Sequence, residues 1–459
     1  MMRSGARVAI GAVVTAGVLA GGTLAVLLPS YAHTTAPVVV RAAPAADQTL
    51  LACTGPLLAA GRDPADAAAL AVAAPQQVAL GADDPSAALR QEVVAAPEVP
   101  GAEPLVLIAD PRGETRTEVA AAGSSEVVAD DLRGFAAAAC ARPSMQSWLV
   151  GGTTEVGAAD LVLLSNPGAV AARADISVFG AEGETQPAAG AGIVVPPRTQ
   201  RVVSLASLAL GQSQPVLRVT ATAAPLRVAL QTSLTRTLVP GGVDVVGAAA
   251  APAPIQIIPA VTVTEASGDA EPTTVRLLAP SDDTAATVSV SRVDAPGAPP
   301  VDTTQLDLVA GVPSVVALPD LAPGAYTVRV EAGAPVLAAV WRSTGTAPGG
   351  DIAWYSAAEP LSGVTFVAVA DGPSPVLTLV GDDASDRSVV LTGTNGEQVV
   401  AVPAGTAVPV AVSPGEIVRL EADGLGIRAS ITYSAPGGLA GYPVAPSEQA
   451  AAEIAVTVR

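Results

Sequence analysis

At 459 residues the chain is long enough for three or four domains, and its 44 Gly and 41 Pro fall short of a disordered, low-complexity composition. Half of the residues are hydrophobic but only 2% are aromatic, so any core must be packed from aliphatic side chains. The net charge of −19 repels nucleic acid and other polyanions, and the absence of lysine excludes Ser-Lys dyads, Schiff-base chemistry and Gly-Lys-Ser/Thr phosphate loops.

Arg3 and Arg7 precede the uncharged stretch 8–28. As a helix it would be about 31 Å long, enough to span a bilayer core, with the N-terminus held inside by the arginines. Ser30-Tyr-Ala32 is also a passable cleavage site, which makes residues 1–33 a signal anchor or a signal peptide. Either way the rest of the chain is expected outside: a single-pass protein of the cell membrane, or a secreted one if cut after Ala32. Gly17 and Gly21 have helix-pairing spacing, a weak signal in a Gly-rich span.

Residues 34–48 are Ala/Pro-rich and read as a linker. Residues 49–144 read as a small mixed or β region. There Asp63 as N-cap, Pro64 at the first helical position and Asp66 in the first turn suggest a helix that Pro75 would stop. Runs at 105–109 and 118–128 read as strands, and 131–139 as a short helix. Cys53 and Cys140 bracket the region. In an exported protein they are expected to pair, stabilising it by roughly 4 kcal/mol through loop closure, with two free thiols as the alternative.

From residue 145 the sequence writes one pattern three times. Apolar alternating runs are separated by Gly, Pro, Asp or Asn, and each copy closes on twin glycines: Gly241-Gly242, Gly349-Gly350 and Gly437-Gly438. Short strands at this spacing predict β-sandwiches over 145–252, 253–360 and 361–447, and a positive φ would explain the glycines. The expected fold class is mainly β: three tandem immunoglobulin-like or fibronectin-like sandwiches after the membrane segment and the mixed region. The tail 448–459 ends in an alternating run, 454–458, that reads as one more strand.

Little chemistry is available. The one histidine, His33, follows the hydrophobic segment, so Ser-His and Cys-His nucleophilic sites lack a base in the folded part, and two cysteines with one histidine make no typical zinc site. Asp282-Asp283 and Asp382-Asp383, with Asp386, occupy the same inter-strand position in their repeats. Turn residues are the plain reading; calcium binding or a glycosidase-like acid pair are the alternatives. Trp148, Trp341 and Trp354 are too scattered for a sugar platform, and Trp341 alternates as a core residue. The chain is therefore read as non-enzymatic, with no catalytic, cofactor or metal residues assigned.

Cys53-Thr-Gly-Pro56, Cys140-Ala-Arg-Pro143, Ser147-Trp-Leu-Val-Gly-Gly152, Leu163-Leu-Ser-Asn-Pro-Gly168 and Val239-Pro-Gly-Gly-Val-Asp-Val245 resemble an uncharacterised family of actinobacterial envelope proteins. The resemblance covers most of the exported chain, and its motifs are turns and cysteines. It implies a possible link to envelope glycan assembly, because the family's genes tend to lie beside a large membrane glycosyltransferase. The functional expectation is an extracytoplasmic spacer or protein-binding scaffold, held to the membrane by its N-terminal helix. The alternative is an accessory subunit of an envelope glycosyltransferase or glycan assembly system, and no nucleic-acid partner is expected.

Overall fold

The computed structural model describes residues 4–27, 38–42, 46–84, 86–113, 115–264, 271–382, 384–447 and 454–458. The chain is mainly β and divides into a large unit, Ala46–Ala450, and a small one built from both ends, Met1–Ala45 and Ala451–Arg459. In the small unit the helix Ser4–Leu27 carries side chains that are exposed on every face across 8–19. Among the described residues no helix is long and apolar enough to cross a membrane. The cleavage motif 30–32 and His33 lie outside the described residues. The alternating run Ile454–Val458 is a strand, and its antiparallel partner is Val38–Ala42. That partner departs from the linker reading of 34–48; three consecutive β-branched valines favour a strand there.

In the large unit one pairing scheme recurs. Within residues 253–356 the first strand, Ala253–Val263, pairs with the first half of the long strand Gly324–Ser343, which also pairs with Thr284–Arg292. The second half of the long strand pairs with Thr274–Leu278 on one side and Ile352–Ser356 on the other. Residues 361–443 repeat this scheme around the long strand Ile417–Ala435. Residues 146–247 repeat it with the long strand divided into Val216–Thr222 and Arg227–Arg236. Each copy thus holds two sheets over an aliphatic core. An immunoglobulin-type sandwich sets its first strand beside its second. Here the first strand lies beside the sixth, in the other sheet.

The region 49–139 is one more, reduced copy, the first of four in chain order, followed by 146–247, 253–356 and 361–443 as the second, third and fourth. Thr49–Ala52 and Leu89–Val93 flank Leu105–Ala109, while Gln77–Ala82 and Arg133–Ala139 flank Val119–Val128. The fourth and fifth strands of the scheme are missing, and a hairpin, Leu57–Ala60 with Leu70–Ala74, is inserted after the first. The helix read from Asp63 and Pro64 is instead a pair of tight turns. The Asp63 and Asp66 carboxylates accept the Ala65 and Ala68 N–H groups, 2.8 and 3.0 Å away, so they serve the turns rather than a helix start. The helix read over 131–139 is the strand Arg133–Ala139. Its alanines favour helix in isolation, but they pack against Val239–Gly247 on one side and Gly438–Pro443 on the other, where only small side chains fit.

The four last strands, Arg133–Ala139, Val239–Gly247, Ile352–Ser356 and Gly438–Pro443, are edges of their own sheets and neighbour one another in a closed ring. The shared cores follow the ring. The first copy packs on the second through Leu58, Ala136, Leu163 and Val243, and on the fourth through Phe135, Leu377 and Tyr433. Leu337 and Trp354 join the core of the second copy, and Leu439 that of the third.

On the ring axis sits Asp351, with none of its surface exposed. Its Oδ2 accepts the Phe135 and Leu439 N–H groups at 2.9 and 3.0 Å, and its Oδ1 accepts Val243 N–H at 3.1 Å. The following N–H, of Ile352, also serves it. One carboxylate therefore collects a donor from all four inner strands. Gly134 (φ 145°) and Gly242 (φ 125°) are required beside it: a Cβ at Gly134 would lie 2.3 Å from Asp351 Oδ1, and one at Gly242 would lie 2.4 Å from Ile352 N. In each twin-glycine pair one member has positive φ, Gly242, Gly349 and Gly437.

Replacing Asp351 with Ala leaves these buried donors without an acceptor. It is expected to lower unfolding free energy by at least about 3 kcal/mol, measured by urea denaturation. Burial pushes the Asp351 carboxyl up to about 7 against the pull of its backbone donors, does the same to Asp160, and raises Asp244 well above its ordinary value. These groups hold a proton more tightly folded than unfolded. The contribution of Asp351 and Asp160 is therefore full below about pH 4 and is lost as pH rises through about 7. Thermal midpoints followed by circular dichroism should fall between pH 5 and pH 8; a rise would contradict the assignment.

Candidate functional site

All four inner strands run away from Asp351 in the same direction, and where they end they surround a cavity of about 560 Å³. Its wall is made from the strand ends and the segments just beyond them, 138–142, 246–252, 354–359 and 441–447. The strands end there because the chain turns to Ala/Pro sequence, Ala248-Ala-Ala-Ala-Pro252 in one copy and Pro443-Val-Ala-Pro446 in another, which cannot continue a ladder. Most of the wall is methyl groups and backbone. Trp148, Trp354, Phe366 and Tyr442 supply its aromatic surface.

Three sets of charged groups face this space. Arg142 lies 3.5 Å from Glu118, whose carboxyl is raised by burial and partly restored by that arginine. Glu359 stands exposed at the rim, where it accepts the Ala251 N–H at 3.4 Å. Arg227, 3% exposed, donates to the Ala139 carbonyl at 3.1 Å and to the carbonyl of Val228. Below the cavity the axis is closed by Asp244, which accepts Trp354 N–H at 2.7 Å and Val245 N–H at 2.8 Å, and beyond it by Asp351.

Cys53 and Cys140 are joined as a disulfide with Cα atoms 4.2 Å apart. The bond ties the first strand of the first copy to the end of its inner strand, and Cys140 lines the cavity. The aspartates singled out in the sequence are not gathered there. Asp283 accepts Ala310 N–H at 2.7 Å, Asp382 pairs with Arg387 at 3.2 Å, and Asp386 accepts Ala404 N–H at 3.0 Å. Asp282 is exposed in the same turn as Asp283, and Asp383 lies outside the described residues. Among the described residues no group of three or more His, Cys, Asp or Glu could hold a metal ion. Trp341 is partly buried against the core of the second copy, as its alternation suggested.

A model of the family of unknown function DUF5719 matches residues 93–413. The chain belongs to that family. The match begins at the third strand of the first copy and runs into the last copy, so DUF5719 covers most of the ring and much of the cavity wall. Neither a curated protein nor a solved structure matches the chain.

Sequence reading did not find Arg227, Asp244 or Asp351. Arg227 and Asp244 sit in strands where neighbours on both sides are apolar, as in Leu226-Arg-Val-Ala-Leu230, whereas Asp351 follows Gly349-Gly350 as a turn residue would. A charge in a run that is apolar on both faces is the signal that would have found Arg227 and Asp244.

Opening the disulfide by Cys53→Ser with Cys140→Ser removes the tie that closes a separation of 87 residues. The double variant is expected to lose about 2–5 kcal/mol in chemical denaturation relative to the oxidised parent.

Proposed function

We propose that this protein is a non-enzymatic, extracytoplasmic scaffold of the cell envelope, tethered by its N-terminal helix, that receives a partner at the axial cavity. The observation that carries this reading is the cavity itself: it is walled by all four copies, shut at one end by Asp351 and Asp244, and open at the other. Its described lining offers no histidine or lysine, its one hydroxyl–carboxylate contact is Ser447 with Glu118, and most of the wall is small side chains and backbone, which suits recognition better than bond chemistry. Export and tethering are supported by the uncharged stretch 8–28 behind Arg3 and Arg7, and by side chains that are apolar or small and exposed on every face of the helix across 8–19. The actinobacterial envelope setting is supported by the motif resemblance. The copies are read as β-sandwiches that have traded the immunoglobulin-type place of the first strand for a place in a ring.

Photo-crosslinking side chains placed at Gln146 and Glu359, on the rim, and at Leu238, 87% exposed in a turn at the Asp351 end, test the reading in intact cells. The rim positions are expected to capture one discrete envelope protein and Leu238 none. Equal capture from both ends, or none from the rim, counts against a cavity-facing partner. A glycosyltransferase as the captured protein would make the chain its accessory subunit.

A further inference from the structure

The cavity carries a charge that nothing described around it balances. Arg227 opens the strand Arg227–Arg236 and is almost wholly buried, yet it lines the cavity. Two carbonyls take one donor each from its terminal nitrogens, and its Nε is buried with no hydrogen-bond partner. No carboxylate pairs with it among the described residues, whereas the neighbouring Arg142 has Glu118. Burial alone lowers its pKa, to about 10, so it is still a cation at neutral pH. A buried cation without a counter-ion is costly, and native structures pair such charges. Carbonyl acceptors relieve only part of that cost, because they carry no net charge. The volume beside it is within the range of small-molecule sites, and alanines and tryptophans make up an apolar part of the wall.

We propose that the axial cavity binds a small organic oxyanion, whose carboxylate or phosphate group pairs with the Arg227 guanidinium while its apolar body lies against the alanine and tryptophan wall. A planar guanidinium matches the two oxygens of such a group, and the water-poor setting strengthens the pair. This rests on reading the cavity as the binding site, and it names the chemistry the site selects. The competing account makes Arg227 purely structural, a clasp holding the end of Arg133–Ala139 to the second copy through the Ala139 carbonyl.

The test uses intrinsic fluorescence of the full chain, because two of its three tryptophans, Trp148 and Trp354, line the cavity. N-acetyl-alanine and inorganic phosphate are titrated separately, which tells a carboxylate with an apolar body from a bare phosphate. A saturable change with at least one probe is expected, weakened about tenfold or more in Arg227→Met. That variant keeps the aliphatic volume and deletes the unbalanced charge, so without probe it should melt at or above the parent. A clasp predicts the reverse, a lower melting point with probe affinity unchanged. Arg227→Lys keeps the charge and loses the fork; if the Met variant does not fold, the Lys variant decides, by weakened binding for the proposal or parental binding against it. No saturable change with either probe up to about 100 mM overturns the site. The rim crosslinks do not depend on Arg227, so the scaffold reading and the oxyanion site can fail separately.

Discussion

An edge strand presents unpaired N–H groups, and a protein must cover them, charge them or pair them. This chain brings four such edges together and gives their donors a single acceptor, the Asp351 carboxylate. The rest of the architecture follows from that meeting. Close approach of the inner strands is helped by the small side chains among them, Ala136–Ala138, Ala353, Ala440 and Gly441, which stand beside larger ones such as Phe135 and Tyr355. Gly134 and Gly242 are needed because the backbone itself packs against the carboxylate. Its backbone donors offset only part of the desolvation, and burial still holds the carboxyl up at about 7.

Ring closure also changes how stability is shared. In an open array of repeats each copy contacts only its neighbours, and the ends need caps. Here the first copy packs on the last through Phe135, Tyr433 and their surroundings, so neither end is exposed as an end. The disulfide reinforces the copy with the fewest strands. The first copy lacks the fourth and fifth strands of the scheme, and the bond joins its first strand to its inner one, just where the cavity begins.

The three later copies were legible in the sequence because each needs its own turns and its own alternation, and both leave local marks such as the twin glycines. The first copy was not, for two physical reasons: its inserted hairpin and missing strands break the spacing, and its inner strand is mostly alanine, whose local preference is helical. The ring was illegible because nothing local encodes it. Asp351 follows Pro348-Gly-Gly350 and reads as an ordinary turn aspartate; its role depends on Phe135, 216 residues away in sequence. The disulfide partners were legible from their number alone. Arg227 passed for a strand arginine of the kind that points to water, although Leu226-Arg-Val-Ala-Leu230 is apolar on both faces; the packing of neighbouring copies puts both faces of that strand indoors.

The carboxylate at the axis also sets a count. A carboxylate has about four lone-pair sites, and the four inner strands offer one backbone donor apiece. A chain that gained a copy by duplication would open the ring and leave a donor over; a chain that lost one would leave an oxygen short in a fully buried place. The periodicity of this sequence is therefore not free to drift in evolution as the length of an open repeat array is: change in copy number must pass through a molecule whose centre no longer closes.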